Sequence, residues 1–454
     1  MTFRSINPCT EEVVASYEAL SAPACESLLE GAHRAQQDWA RRPLRDRTDT
    51  LRALARVLRT RVDALARLAA VEMGKPLAQG RAEVEKCAVA CEYYAEHAES
   101  MLRDEIVATE FADSRVAFRP LGVILCIMPW NFPFWQVVRF AAPALAAGNA
   151  VLLKHAPTTW GCGLALVEAF QEAGVPHDVM SALMIDVPDA ARVIADARVR
   201  GVTFTGSTRG GSAVAALAGA HVKRSVLELG GSDAYVVLDD ADLEIAARAC
   251  VEQRCTNAGQ SCIAAKRWIV DRSVMSEFTE RVVTLMRAQT MGDPLEEGTR
   301  MGPLARRDLR DGVHAQVLAS VAAGARIACG GEVPAERGWF YPATVLTNVD
   351  RADPAAREEV FGPVAALISA RDTSDAIAIA NDNVYGLGAA VFGVDIERAQ
   401  HVARQLDAGS VFVNTFARSD VRLPFGGVKD SGYGRELGVY GLREFVNITT
   451  LVTA

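Results

Sequence analysis

The chain has 454 residues, of which 50% are hydrophobic and 23% charged, with a formal net charge of -8. This is the composition of a folded globular protein, and the length exceeds one ordinary core, so two large domains are expected. The acidic balance gives no electrostatic basis for binding nucleic acid or an anionic membrane surface.

Residues from Pro23 to Glu99 read as helices. The apolar positions in Leu51-Arg52-Ala53-Leu54-Ala55-Arg56-Val57-Leu58 recur at three and four, and Gly74 with Pro76 stops that run. The most apolar stretch, Leu121 to Met128, is too short to span a bilayer, and no charged segment followed by an apolar one opens the chain. A cytoplasmic protein without a membrane span is expected. From Leu121 onward, Val123-Ile124-Leu125, Val151-Leu152-Leu153 and Val202-Thr203-Phe204 alternate with helical stretches, the pattern of a parallel sheet wrapped by helices and of a dinucleotide domain.

The alternation restarts beyond Gly231 with a strand at Tyr235-Val236-Val237-Leu238, a helix over 243–253, a strand at Trp268-Ile269-Val270 and a helix from Ser273. A second α/β domain therefore begins near residue 231. Two further segments read as strands, the alternation between Ile106 and Arg119 and the β-branched run from Asn447 to Val452.

Ten cysteines are scattered along the chain with no CxxC pair, and no histidine joins them at zinc-ligand spacing, so buried thiols and no metal are expected. One stands apart: Cys262, in Asn257-Ala258-Gly259-Gln260-Ser261-Cys262. Glu228 in Leu227-Glu228-Leu229-Gly230-Gly231 and Asn131 in Pro129-Trp130-Asn131-Phe132-Pro133 complete a set of thiol, carboxylate and amide. Covalent oxidation of an aldehyde needs these three: a nucleophile, a base for the attacking water and a donor to the oxyanion. The thiolate is the attacking form, so Cys262 is expected to have a lowered pKa. Considered singly, Asn131 also suits a turn before Pro133 and Glu228 a strand end.

No GxGxxG fingerprint is present. After the strand Val202-Thr203-Phe204 comes Gly206-Ser207-Thr208-Arg209-Gly210-Gly211, a glycine-flanked helix start whose free N–H groups suit a pyrophosphate, although Gly-Ser also simply caps helices.

These segments, with Phe204-Thr205-Gly206-Ser207-Thr208 and Glu358-Glu359-Val360-Phe361-Gly362-Pro363 in the same order, resemble the aldehyde dehydrogenase superfamily. The resemblance implies two parallel-sheet α/β domains, a Rossmann-like NAD(P)-binding domain (residues 1–105 and 121–230) and a catalytic domain (231–430). It also implies a small bridging β-sheet (106–120 and 431–454) used to form a homodimer or homotetramer. It carries catalytic roles to Cys262, Glu228 and Asn131. It places Ile127, Met128 and Trp130 at the nicotinamide, Lys154 at the adenosine ribose and Ser207 at phosphate, with Gly206, Gly211 and Leu229 nearby. Glu359 falls at the nicotinamide ribose with Phe361 beside it.

NAD-selective relatives carry a carboxylate three residues after that lysine, where this chain has Pro157, so both NAD and NADP are expected to be accepted. Lys154 or His155 is a candidate to favour NADP. The match looks most like the succinate-semialdehyde dehydrogenase branch, in which arginine meets the substrate's far carboxylate. Arg139 matches one such position, and Trp135, Thr256, Ser261 and Phe425 are further substrate-side candidates. Two departures stand out: Thr256 replaces a second arginine, and Asp420 stands where a serine is usual, with Arg254, Arg418 or Arg422 as possible replacements. Position 264 is alanine, so a disulfide switch at the nucleophile is not expected. The alternatives to a hydrolytic dehydrogenase are another semialdehyde or general aldehyde dehydrogenase, a CoA-acylating one, against which Glu228 argues, and an inactive crystallin-like structural protein.

Overall fold

The computed structural model describes residues 1–454. Four helices fill the N-terminal quarter after a hairpin of Thr2–Ile6 and Val13–Glu18: Ala22–Arg41, Leu44–Thr60, Val62–Met73 and Leu77–Leu102. In the second of these, Leu51, Leu54, Ala55 and Leu58 are buried, the stripe that the three-and-four spacing requires. Each such leucine stabilises the fold by about 1.5–3 kcal/mol through burial.

The first large sheet has the order Gly432–Tyr433, Arg224–Glu228, Val199–Thr205, Val123–Ile127, Ala150–Lys154, Met180–Ala182. All pairings are parallel except that of Gly432–Tyr433. The chain winds outward in one direction from Val123–Ile127 and then returns to its other side with Val199–Thr205. A crevice therefore opens where the winding direction reverses, at the carboxyl ends of the strands. Ile127, Lys154, Thr205 and Glu228 are the last residues of their strands and surround that crevice.

The second sheet has seven strands in the order Arg326–Cys329, Thr344–Thr347, Val364–Ala370, Ala265–Asp271, Asp233–Val237, Gly388–Phe392, Ser410–Val413, parallel apart from the first pairing. Both faces are covered. Along one central strand Ala234 and Val236 enter one hydrophobic cluster while Tyr235 and Val237 enter the other, which explains why it reads as a continuous apolar run. The expected helix from Ser273 starts at Met275.

A third sheet joins Val446–Thr453, Asp113–Pro120 and Glu105–Ile106, all antiparallel. The segment from residue 431 onward divides among three places. Gly432–Tyr433 pairs with Arg224–Glu228 in the first sheet, Gly438–Arg443 is helical, and Val446–Thr453 alone joins the third sheet. No helix is long and apolar enough to cross a membrane.

Candidate active site

The turn carrying Asn131 leads into the helix Trp135–Ala147, every residue of which is buried. A buried ion pair fixes this entry. Glu83 accepts from the N–H groups of Phe134 and Trp135, both at 2.9 Å, and also binds the Lys75 ammonium, which lies 3.9 Å from the centre of the Phe132 ring. A carboxylate at a helix N-terminus neutralises free N–H groups and opposes the dipole, so two residues of the N-terminal helical layer set the Asn131 turn. Sequence reasoning missed both. The signal for Glu83 was charge at a position that a packed helix otherwise fills with an apolar residue, whereas Lys75 lies in the turn between two helices.

Asn131 is buried; its side-chain amide donates to the Gln260 carbonyl at 3.0 Å, and its Oδ1 accepts from Gln136 at 3.2 Å. Its second amide proton remains free for another acceptor.

Cys262 follows the helix Leu243–Cys255 and a tight turn in which Asn257, Ala258 and Gly259 have φ of 54, 51 and 74°. Two consecutive non-glycine residues in the left-handed region are strained and persist only where neighbours hold them. Asn257 N–H donates to Gln79 at 2.7 Å and its side-chain amide to the Asn131 carbonyl at 2.8 Å. Arg254 donates to the Gly259 carbonyl at 2.6 Å, and the buried Lys266 ammonium to the carbonyls of Ser261 and Cys262 at 3.1 and 2.8 Å. A Cβ at Gly259 would strike the backbone of Gly362, so glycine is required there twice over. The Cys262 N–H makes no backbone hydrogen bond.

The Cys262 thiol departs from the sequence expectation. Burial pushes its pKa up to about 12, outweighing the opposing charges of Arg139 and Lys266. The resting form is the thiol, so attack requires a base to remove its proton. Glu228 is buried, with both carboxylate oxygens unpartnered; burial first and the neighbouring Glu436 second raise its pKa, against the guanidinium of Arg139. A Cβ at Gly426 would lie 2.7 Å from its Oε1, so the side chain is seated against Gly426.

Cys262 and Gln136 stand at the junction of two cavities. The larger, about 370 Å³, is lined by Trp130, Asn131, Gly206, Ser207, Leu229, Glu359 and Phe361 among others. Trp130 and Phe361 meet edge to face across it at 5.8 Å. Glu359 accepts from the Gly231 N–H at 2.9 Å, and burial raises its pKa. Ser207 both faces this cleft and caps the helix Thr208–Ala220 by accepting from Gly210 at 3.2 Å. Ile127 and Met128 close the strand beneath, the Met128 N–H donating to the Lys154 carbonyl at 3.1 Å.

Gly211 backs onto Leu229, whose side chain leaves no room for a Cβ, so it sets how closely helix and strand pack. Lys154 is buried at its strand end and Pro157 is exposed three residues later. His155 presents no surface to a cofactor in this structure. It is fully buried, bonded to the Pro133 carbonyl and the Ala156 N–H, and burial pushes its pKa down to about 4.

The smaller cavity, about 230 Å³, brings together all five substrate-side candidates, Trp135, Arg139, Thr256, Ser261 and Phe425. Arg139 is committed elsewhere as well: it pairs with the buried Glu436, donates to Thr205 Oγ1 at 3.2 Å and lies 5.1 Å from the Phe425 ring centre. The three possible replacement arginines are not on this wall. Arg254 is fully buried beneath the nucleophile turn, Arg422 pairs with Asp420 at 2.6 Å, and Arg418 is exposed. Ser419, one residue before the expected position, does line the cavity, as does Lys86; neither was singled out from sequence.

A parallel-sheet crevice for a dinucleotide, meeting a small cavity at a cysteine, defines a nucleotide-dependent oxidoreductase that works through a thiol. The aldehyde dehydrogenase family model matches residues 1–451, and the chain belongs to that family. It is 47% identical to the succinate semialdehyde dehydrogenase (NAD(P)+) Sad of Escherichia coli (strain K12), over 98% of this chain and 97% of that one. Among solved structures it is similar to succinic semialdehyde dehydrogenase from Streptococcus pyogenes in complex with NADP+. The TM-score is 0.97 at 34% identity, covering 99% of each chain. Betaine aldehyde dehydrogenase from Staphylococcus aureus in complex with NAD+ gives a TM-score of 0.95 at 31% identity, covering 100% of this chain and 91% of that one.

Proposed function

We propose that the protein oxidises succinate semialdehyde to succinate, using NAD or NADP, through a covalent adduct on Cys262. The observation that carries this reading is the position of the Cys262 thiol, shared between the dinucleotide crevice and the small cavity. Glu228 takes the Cys262 Sγ proton and passes it to solvent, the thiolate attacks the aldehyde carbon and the carbonyl electron pair moves to oxygen. The Asn131 amide and the Cys262 N–H donate to that oxygen, each worth about 3–4 kcal/mol in such sites. A dinucleotide held in the crevice would supply the hydride acceptor, and Cys262 would then carry the acyl group as a thioester. Glu228 then takes a proton from water as the water attacks the thioester carbon, the C–S bond breaks and the acid departs. A raised pKa makes Glu228 a stronger base for this step.

Ile127, Met128, Trp130, Gly206, Ser207, Leu229, Glu359 and Phe361 hold the cofactor, with Gly211 behind them. Lys154 would contact the adenosine ribose, and Pro157 would leave a 2′-phosphate unopposed. Acceptance of both cofactors is supported by the names of the relatives from Escherichia coli and Streptococcus pyogenes. Trp135, Arg139, Thr256, Ser261 and Phe425 form the pocket for the acyl chain, small enough for a short aldehyde.

Residues 1–105 and 121–230 act as the cofactor domain, 231–430 as the catalytic domain, and 106–120 with the strand Val446–Thr453 as the bridging element. Assembly into a homodimer or homotetramer is supported by the unpaired outer edge of Val446–Thr453 and the exposed Ile448, Leu451 and Val452. Ten scattered cysteines in a long chain favour a reducing, cytoplasmic location. The deciding experiment follows reduced-cofactor absorbance with succinate semialdehyde, with and without CoA. Turnover that requires CoA would replace hydrolysis with acyl transfer, and no turnover with any aldehyde would leave a structural protein.

A further inference from the structure

One wall of the small cavity is a face of the helix Leu77–Leu102, carrying Gln79, Ala82, Glu83 and Lys86 at the spacing of successive turns. Three charged residues line the cavity, Glu83, Arg139 and Lys86; Glu83 is neutralised by Lys75 and Arg139 by Glu436. Lys86 has no carboxylate partner. Its ammonium donates to Ser419 Oγ at 2.6 Å and lies 4.3 Å from the centre of the Trp135 ring, two contacts that orient a cation without neutralising it. A small cavity with the reactive thiol on its wall thus also has one uncompensated positive charge there.

A half-buried ammonium without a counter-ion is costly and gains most from an anion that supplies the missing charge. Burial, with the nearby charge of Arg139, pushes the Lys86 pKa down to about 8, the direction expected for a cation lacking its partner. An aldehyde with a carboxylate at its far end would place its carbonyl at Cys262 and its charge at this cation. We propose that Lys86, oriented by Ser419, binds the distal carboxylate of the substrate and sets the preference for a charged aldehyde, with the charge of Arg139 engaged by Glu436. This rests on the semialdehyde reading above and supplies the specificity determinant that Thr256 does not.

The test compares kcat/KM for succinate semialdehyde and for butanal in the wild type, Lys86→Met, Lys86→Arg and Ser419→Ala. The ratio of the two efficiencies is expected to fall roughly tenfold to a hundredfold in Lys86→Met, mainly through KM, as loss of a charge-assisted hydrogen bond predicts. Lys86→Arg keeps part of the ratio. Ser419→Ala, which leaves the helix packing untouched, lowers it by about threefold and serves if the methionine variant does not fold. A wild type that prefers succinate semialdehyde, with a ratio that stays within about twofold in Lys86→Met, or in Ser419→Ala where the methionine variant does not fold, overturns the role of Lys86. A wild type without that preference overturns the semialdehyde reading itself, and the Lys86 proposal with it.

Discussion

Arg139 and Glu436, distant in sequence, form a buried ion pair in the interior, and both act on the charge state of Glu228. Glu436 is pinned in place by paired backbone hydrogen bonds with Phe425 at 2.7 Å, and Phe425 also lies against the Arg139 guanidinium. The proposed base therefore sits beside one like and one unlike charge that hold each other. Removing one changes the effect of the other.

Glu436→Gln tests this coupling. The variant removes the like charge that raises the Glu228 pKa and frees Arg139 to lower it, so the Glu228 pKa falls. The carboxylate is the active form above its pKa. The acid limb of the kcat against pH profile should therefore move to lower pH. Breaking a buried pair also costs about 3–5 kcal/mol of stability, visible as a lower Tm. An acid limb that stays in place would show that Glu228 is not the group titrating in turnover.

Cys262→Ala and Glu228→Gln separate attack from hydrolysis. Cys262→Ala removes the only atom proposed to bond to substrate, and turnover should drop below about a percent of wild type with cofactor binding intact. In Glu228→Gln the thioester still forms and water is not activated. A burst of reduced cofactor followed by a slow steady state is expected in stopped flow. Unchanged steady-state turnover at neutral pH would remove Glu228 from the mechanism.

Pro157→Glu addresses cofactor choice. Pro157 is exposed three residues beyond Lys154, so a carboxylate there stays solvated and needs no repacking. Its charge repels a 2′-phosphate and accepts hydrogen bonds from ribose hydroxyls, and the efficiency with NADP relative to NAD should fall roughly tenfold or more. No change in that ratio would place position 157 away from the adenosine ribose.

The parallel sheets and their helices were legible because each strand is an apolar run and each helix has its own period, both properties of contiguous residues. The five substrate-side candidates were legible in the same way, from short motifs, and they do meet in one cavity. What stayed hidden depends on contacts between distant segments. That Arg139 is held by Glu436, and that Glu83 belongs to Lys75 and the Asn131 turn, are facts of tertiary pairing. Lys86 lies on a helix whose charged residues all look alike in sequence, and only the packed fold shows which face meets the cavity. The high pKa of Cys262 was misjudged for a related reason: desolvation is set by everything that surrounds the thiol. Gly432–Tyr433 is too short to have a period, and it joins the first sheet through its pairing with Arg224–Glu228.

The last prediction uses pH to separate Lys86 from the catalytic groups. Lys86 is held near pKa 8 by burial and Arg139, with Cys87, Glu83 and Asp420 acting weakly the other way. It carries its charge below that value and loses it above. Succinate semialdehyde keeps its carboxylate charged throughout this range, since carboxylates titrate near pH 4. The ratio of kcat/KM for succinate semialdehyde to that for butanal should therefore be flat at lower pH and fall as pH rises through about 8. Titration of Cys262 and Glu228 affects both aldehydes and cancels in the ratio, whereas the Lys86 charge matters to one of them. In Lys86→Met the ratio should be low and independent of pH. A wild-type ratio that stays constant from pH 6 to 10, the range that brackets the lysine's shifted and ordinary values, would show that no titrating cation in this range holds the substrate's far end.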